Sequence, residues 1–358
     1  MKKFTSLLAV GALSLTLAAQ PVAAAASFPD VPDSNRFHDE INYLVDQKII
    51  TGYSNGNFQP KRNVTRGEAA IMIGRTLKLD GAKRDTKFKD VSKNYGASGY
   101  IAAATDKGII GGFKDGTYRP DATISRGDMA MIIDRAFELV TNSHYQFKDV
   151  GVKMTAYGAT RALAGNYITT GYPDGTFKPK GTVTREQFSA FIARGLDIDF
   201  KQKTQMKDSY AYDLTKQYVF AGPEGDRMMT YKYESKMMNG KPLGYTWESK
   251  NLKTGEVNYF GQSENSEYLM AGIPYSDYSP ALKYPVKLNS KWQIGMNSNE
   301  VDQVTGVNKT VKTSYKTFTG AVEVTSNTGH KTYYVKGIGL VKSINPKGIV
   351  VSELKSLK

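Results

Sequence analysis

Three arginines in this chain sit where their neighbours' types and spacing could do chemistry. Arg66 lies in Val64-Thr65-Arg66-Gly67-Glu68, Arg126 in Ile124-Ser125-Arg126-Gly127-Asp128, and Arg185 in Val183-Thr184-Arg185-Glu186-Gln187, about sixty residues apart. In each, a hydroxyl residue (Thr65, Ser125, Thr184) is followed three places later by Glu68, Asp128 or Gln187. That spacing is a helix-capping box: the hydroxyl accepts a first-turn N–H, and the acid or amide reaches back to the cap's own N–H. The arginine between them projects from a helix start, where unpaired N–H groups and the positive end of the helix favour an anion. The chemistry on offer is therefore the holding of a negative group. The same residues also have a structural reading, in which the arginine pairs with a nearby carboxylate and ties units together. Thr65, Ser125 and Thr184 read as caps rather than ligand contacts.

The elements that must position these arginines form an internal repeat. Phe28-Pro29-Asp30-Val31, Phe88-Lys89-Asp90-Val91 and Phe147-Lys148-Asp149-Val150 open three units. Gly-aromatic turns follow at 52–58, 112–118 and 171–177, closed by Pro60, Pro120 and Pro179. Between opener and turn, Phe37, Ile41, Leu44 and Val45 mark one face of a short helix. After the turn, Ala69/Met129/Phe188, Met72/Ile132/Phe191, Ile73/Ile133/Ile192 and Leu77/Phe137/Leu196 give a second helix with one buried stripe in every copy. One such pair buries little alone, so three units should share a core built from their second helices. Asn-Gly and Asp-Gly pairs supply the left-handed backbone that the turns need.

The joint pattern resembles the S-layer homology (SLH) domain, which usually occurs as three tandem copies. The resemblance covers residues 28 to about 197. It implies an all-α-rich SLH pseudo-trimer, with a three-helix central bundle and three prongs; with the strand patterns rich in Tyr, Thr and Val beyond residue 207, the chain reads as multidomain, the trimer followed by a mostly antiparallel β domain. The resemblance further implies binding of pyruvylated secondary cell-wall polysaccharide in grooves between prongs, with Arg66, Arg126 and Arg185 as anion contacts. Thr65, Glu68, Ser125, Asp128, Thr184 and Gln187 would support them by capping. Other S-layer subunits are further candidate partners. Three departures stand out: no tryptophan begins the first helices, Lys48 and Tyr167 replace the helix-ending glycine found at Gly108, and the last acidic position drifts from Glu68 to Asp128 to Gln187. Cap chemistry alone ranks unit one first.

Composition narrows the function classes. The chain has 358 residues, no cysteine and three histidines, so disulfides are excluded, and neither a histidine metal cluster nor any other cofactor is expected. Residues 1–26 read as a signal peptide, with Lys2 and Lys3, an apolar stretch from Leu7 to Ala19, and small residues at 24–26. No membrane span is expected. The net charge is +4 over residues 27–200 and +8 over 201–358. For an exported protein that points to wall glycans and not to nucleic acid.

The expected organisation is a signal peptide (1–26), repeats at 27–80, 87–140 and 146–197, a linker (198–207) and a β-rich domain (208–358). Hairpins are predicted around Lys253-Thr254-Gly255-Glu256 and Asn327-Thr328-Gly329, within a curved sheet or sandwich. Glu224, Asp226, Glu248, Glu256, Glu264 and Glu267 form no recognisable catalytic set. The chain reads as a non-enzymatic anchor displaying a β domain on the cell surface, with an anchored enzyme acting on glycans through residues 208–358 as the alternative.

Overall fold

The structure is a computed structural model that describes residues 28–140, 146–238, 241–276, 278–295 and 299–358. The expected signal peptide lies outside the described residues.

Each repeat is built around its opening Phe-x-Asp-Val. Phe28, Phe88 and Phe147 pack on Phe58, Tyr118 and Phe177, with ring centroids 5.4, 5.2 and 5.2 Å apart. Asp30, Asp90 and Asp149 then accept two backbone N–H bonds each from the end of the turn, at 2.7–2.8 Å. The second donor in each pair is Gln59, Arg119 or Lys178, all left-handed at φ 58–59°. A side chain there costs about 1–2 kcal/mol, which the carboxylate clamp offsets. Gly52 is fixed by a close approach: a Cβ on it would come within 2.4 Å of the Phe28 ring.

The first helices are α1 (His38–Asp46), α3 (Ser98–Asp106) and α5 (Tyr157–Gly165); the second are α2 (Arg66–Thr76), α4 (Arg126–Ala136) and α6 (Arg185–Leu196). Packing is cyclic: α3 lies on α2, α5 on α4, and α1 returns to α6. The three units thus share one core, running from Phe28 to Phe200.

The segment 198–207, read as a linker from its polarity, contains α7 (Ile198–Gln202), capped by Asp197. Phe200 joins the core of the repeats, and Lys203 pairs with Asp39 of α1 at 2.7 Å.

The β half is a single antiparallel sheet. Its strands are β1 (Gln217–Ala221), β2 (Arg227–Met238), β3 (Lys241–Asn251), β4 (Val257–Glu264), β5 (Tyr268–Gly272), β6 (Tyr278–Lys283), β7 (Lys291–Gln293), β8 (Val301–Lys312), β9 (Thr317–Ser326), β10 (Lys331–Val335), β11 (Gly339–Ile344) and β12 (Val350–Leu357). Their spatial order is β6-β5-β4-β3-β2-β1-β12-β11-β10-β9-β8-β7. The β3–β4 and β9–β10 hairpins fall where the turn residues predicted them.

Fold class needs correction. Among the described residues 21% are helical and 30% are in strands, so the chain is not all-α-rich, and the sheet curls into a nearly closed, barrel-like form. Two physical reasons account for this. The repeats spend half their length on turns, so their helices run only 9–12 residues. The β half alternates large apolar residues along one face (Tyr218 and Phe220, Met229 and Tyr231), and curling a twelve-stranded twisted sheet buries that face without a second sheet. The two edges approach each other where Trp292 Nε1 of β7 donates to Pro280 O of β6 at 3.0 Å.

The departure at Tyr167 has a structural cause. Like Lys48 and Gly108 it is left-handed, at φ 54°, but those two are exposed and Tyr167 is buried in the aromatic cluster of Tyr212, Tyr218 and Trp247 inside the barrel. Its hydroxyl donates to Gln262 O at 3.2 Å. The third repeat thus plugs the sheet.

Beside it Lys201 is wholly buried, donating to Asn166 O at 3.3 Å with its ammonium 4.2 Å from the centroid of the Tyr245 ring. Burial pulls this lysine down to about 7. Between that value and the ordinary lysine range the unfolded chain binds more protons than the folded one, so stability rises with pH. Urea unfolding at pH 7 to 9 should show wild type gaining on Lys201→Met by up to about 1.4 kcal/mol per pH unit. A gap that stays constant over this range would contradict the assignment.

Candidate functional site: grooves between repeats

The first-turn amides do not wait for an anion. Arg66 N–H donates to Ala122 O and Gly67 N–H to Pro120 O, at 2.8 and 2.7 Å. Arg126 and Gly127 bond Gly181 O and Pro179 O, both at 2.8 Å, while Arg185 and Glu186 bond Arg62 O and Pro60 O at 2.9 and 3.1 Å. The third amide of each helix goes to its own cap hydroxyl, on Thr65, Ser125 or Thr184. The sequence pattern located the donors; their acceptors are the turn carbonyls of the next repeat.

The box itself is complete in α2 and α6 and half-made in α4. Glu68 Oε2 and Gln187 Oε1 accept from Thr65 and Thr184 N–H at 2.9 and 3.3 Å, whereas Asp128 is one methylene shorter and does not close its box.

The arginine side chains follow the same cyclic route. Arg66 Nε donates to Tyr118 O and Nη2 to Gly111 O, at 2.8 and 2.7 Å. Arg126 Nε donates to Phe177 O at 2.8 Å, and Arg185 reaches Phe58 O and Thr51 O, each at 3.0 Å. Each guanidinium lies against two rings of the neighbouring turn: Phe113 and Tyr118, Tyr172 and Phe177, Tyr53 and Phe58, at 4.5–5.0 Å from the centroids. All three residues are under 10% exposed. Burial lowers the Arg126 and Arg185 guanidiniums, opposed by Tyr172 and Tyr53 respectively. The structural reading is therefore met by carbonyls and rings; the nearest carboxylate contact is Arg66 Nη1 to Asp128 Oδ2 at 3.9 Å.

Two of the arginines, Arg126 and Arg185, also line a groove at a repeat boundary. Arg185 shares a cavity of about 230 Å³ with Thr51, Tyr53, Glu68 and Arg75, and Arg126 one of about 380 Å³ with Tyr172, Gln187, Phe191 and Arg194. A guanidinium has five N–H groups, and at most two are taken by the carbonyls above. The residue completing the cap, three places after the next repeat's hydroxyl, faces the groove. It is Glu68, bonded by Tyr53 OH at 2.9 Å and paired with Arg62, then Asp128, then the neutral Gln187. Among these cap positions the charge opposes an anion least in the Arg126 groove, where Gln187 stands, whereas cap chemistry alone had pointed to unit one.

Sequence reasoning missed a second ring of arginines. Arg75, Arg135 and Arg194 lie nine residues beyond Arg66, Arg126 and Arg185 and donate to Ile49, Ile109 and Ile168 O at 3.4, 3.4 and 3.3 Å. The constant spacing in all three copies was the available signal.

The two rings should respond differently to mutation. Arg126→Ala should cost about 1–3 kcal/mol in urea unfolding by orphaning a buried carbonyl. Arg75→Ala, which loses one long bond, should cost less than about 1 kcal/mol. Equal losses would remove the distinction.

Residues 27–70, 87–130 and 146–189 each match the family described as S-layer homology domain. The chain is 29% identical over 94% of its length to an S-layer protein of Bacillus thuringiensis subsp. finitimus, covering 44% of that protein. It is 30% identical over 47% of its length to a cellulosome-anchoring protein of Acetivibrio thermocellus, covering 38% of it. It is 33% identical over 57% of its length to an uncharacterized cell wall amidase of Bacillus anthracis, again covering 38%. The chain thus spans less than half the length of these relatives.

Proposed function

We propose, from the premise that this is a secreted bacterial cell-surface protein anchored by three tandem S-layer homology domains, that the grooves hold pyruvylated secondary cell-wall polysaccharide and the barrel is displayed outside. The observation that carries the reading is the buried arginine at each repeat boundary, backed by aromatic rings and, at Arg126 and Arg185, lining cavities of about 380 and 230 Å³. A pyruvate ketal fixes a carboxylate on a sugar, and a guanidinium meets it with two parallel N–H bonds. Each such charged bond contributes roughly 1.5–3 kcal/mol. Tyr53, Phe113 and Tyr172 offer faces for the sugar ring. Three grooves on one rigid body, facing a polymer with repeated carboxylates, gain further by effective concentration.

The relatives are consistent with anchoring, since one is named a cellulosome-anchoring protein and another an S-layer protein. The cell wall amidase keeps catalysis in view as a property of longer chains. In this barrel Asp226, Glu248 and Glu256 are tied to Lys355, Lys232 and Arg227 at 2.6–3.1 Å, which supports display over hydrolysis.

The test is co-sedimentation of the full chain with purified walls, before and after mild acid strips the ketal pyruvate. Retention on native walls and its loss on stripped walls is expected. Undiminished retention on stripped walls would overturn the pyruvate assignment. Retention should also weaken as salt rises, because the contact is ionic.

A further inference from the structure

The sheet of the barrel ends at β6 and β7, and both ends are guarded against further strands. β6 carries Pro280, whose carbonyl is taken by Trp292 of β7. β7 is three residues long. β8 outruns it, but β8 departs from regular pairing with β9 at three places, has Asn308 left-handed at φ 57°, and carries Lys309 and Lys312. Short strands, prolines, bulges and lysines all keep a sheet edge from pairing with another chain.

An edge within the sheet lacks every one of these guards. Val257-Asn258-Tyr259-Phe260 of β4 pair with β3 in unbroken register, from Lys250 to Trp247, while β5 pairs only with Gly261 to Glu264. After Gly272 the chain leaves β5 through a turn in which Ser276 N–H donates to Ile273 O at 3.0 Å. Among the described residues, no strand therefore lies on the β5 side of residues 257–260. Alternate residues of an antiparallel strand turn their N–H and C=O to each side, so this side presents backbone groups without a ladder; Phe260 O is met by Thr246 Oγ1 at 2.8 Å. The space that a longer β5 would fill is a cavity of about 590 Å³, lined among others by these four residues and by Met237 and Ile273. Both of those apolar side chains are 58% exposed.

The local charge selects the occupant. The β half carries +8, yet around this edge Arg227 pairs with Glu256 and Lys232 with Glu248, at 3.1 and 2.7 Å. Glu234, which accepts from Tyr259 OH at 3.2 Å, also takes the N–H of Lys236 at 2.9 Å and so stands beside that cation. Lys250, one strand in from the edge, is in no ion pair among the described residues. An anionic partner finds little to hold here, whereas a second copy of the chain meets little repulsion.

We propose that two copies of this chain associate through residues 257–260, β4 against β4, about a two-fold axis perpendicular to the sheet. That axis runs the two strands antiparallel and keeps the same face of each on the same side. With Asn258 on the axis, Val257 of each copy lies beside Tyr259 of the other, an apolar–aromatic cross-strand pair made twice. The contact is short, so the dimer is weak in dilute solution and favoured where copies are crowded on one surface. It does not depend on what the grooves hold.

The chain has no cysteine, so single cysteines report the contact directly. Asn258 and Lys347 are both exposed, and Lys347 lies in the β11–β12 turn on another part of the sheet. Under mild oxidation of the full chain, Asn258→Cys should form disulfide-linked dimers at least about tenfold faster than Lys347→Cys, because pairing raises the effective thiol concentration. In sedimentation velocity, wild type should rise from monomer toward dimer with concentration. Asn258→Lys, which sets like charges opposite each other on the axis, should stay monomeric while its thermal melt and its retention on walls match wild type. Equal cross-linking of the two cysteine variants, a wild type that is monomeric at every concentration, or dimerisation kept by Asn258→Lys would each overturn the interface and leave anchoring intact.

Discussion

The molecule depends on one exchange of hydrogen bonds, repeated three times around a ring. The turn of each repeat gives its carbonyls to the helix start and the arginine of the repeat before it: Pro120 and Tyr118 to repeat one, Pro179 and Phe177 to repeat two, Pro60 and Phe58 to repeat three. A helix start normally leaves amides for water or a ligand. Here closing the ring satisfies them, and a two-helix unit too small to bury its own stripe gains neighbours on both sides. The grooves lie where they do because the arginine must cross a repeat boundary to find its carbonyl.

That geometry gives each arginine two tasks. Part of the guanidinium holds the next turn in place, while its charge, half-desolvated between two rings, remains available to the groove. Low exposure strengthens the charge for a carboxylate and makes the side chain hard to replace without loosening the ring. Of the second ring, Arg75 and Arg194 line the same grooves as Arg185 and Arg126, and Arg194 also pairs with the buried Glu40 of repeat one.

The barrel breaks the threefold symmetry. Tyr167 leaves the helix end of repeat three and enters the aromatic cluster of the sheet, α7 packs back on the repeats through Phe200, and Lys201 is sealed between the two halves. These contacts set residues 264–266 against the Arg126 groove, while the Arg185 groove is lined by repeat residues. A motif written three times therefore yields unequal sites, and the inequality comes from the groove-facing positions 68, 128 and 187 and from what stands opposite them.

The sequence by itself determined what local chemistry decides. Hydroxyl caps, Asn-Gly and Asp-Gly turns, apolar stripes at helical spacing and the two hairpins all act over fewer than about ten residues, and all are where their patterns place them. The departure at Tyr167 and the constant nine-residue arginine spacing were also written there, but nothing local says what they touch. Only the tertiary structure decided where the helix-start amides go, because their acceptors lie some fifty residues or more away in sequence. It also decided that twelve strands curl into one sheet, since closure follows from accumulated twist and burial rather than from any single turn. The sequence named the cations, and the fold decided how much of each is left for a ligand.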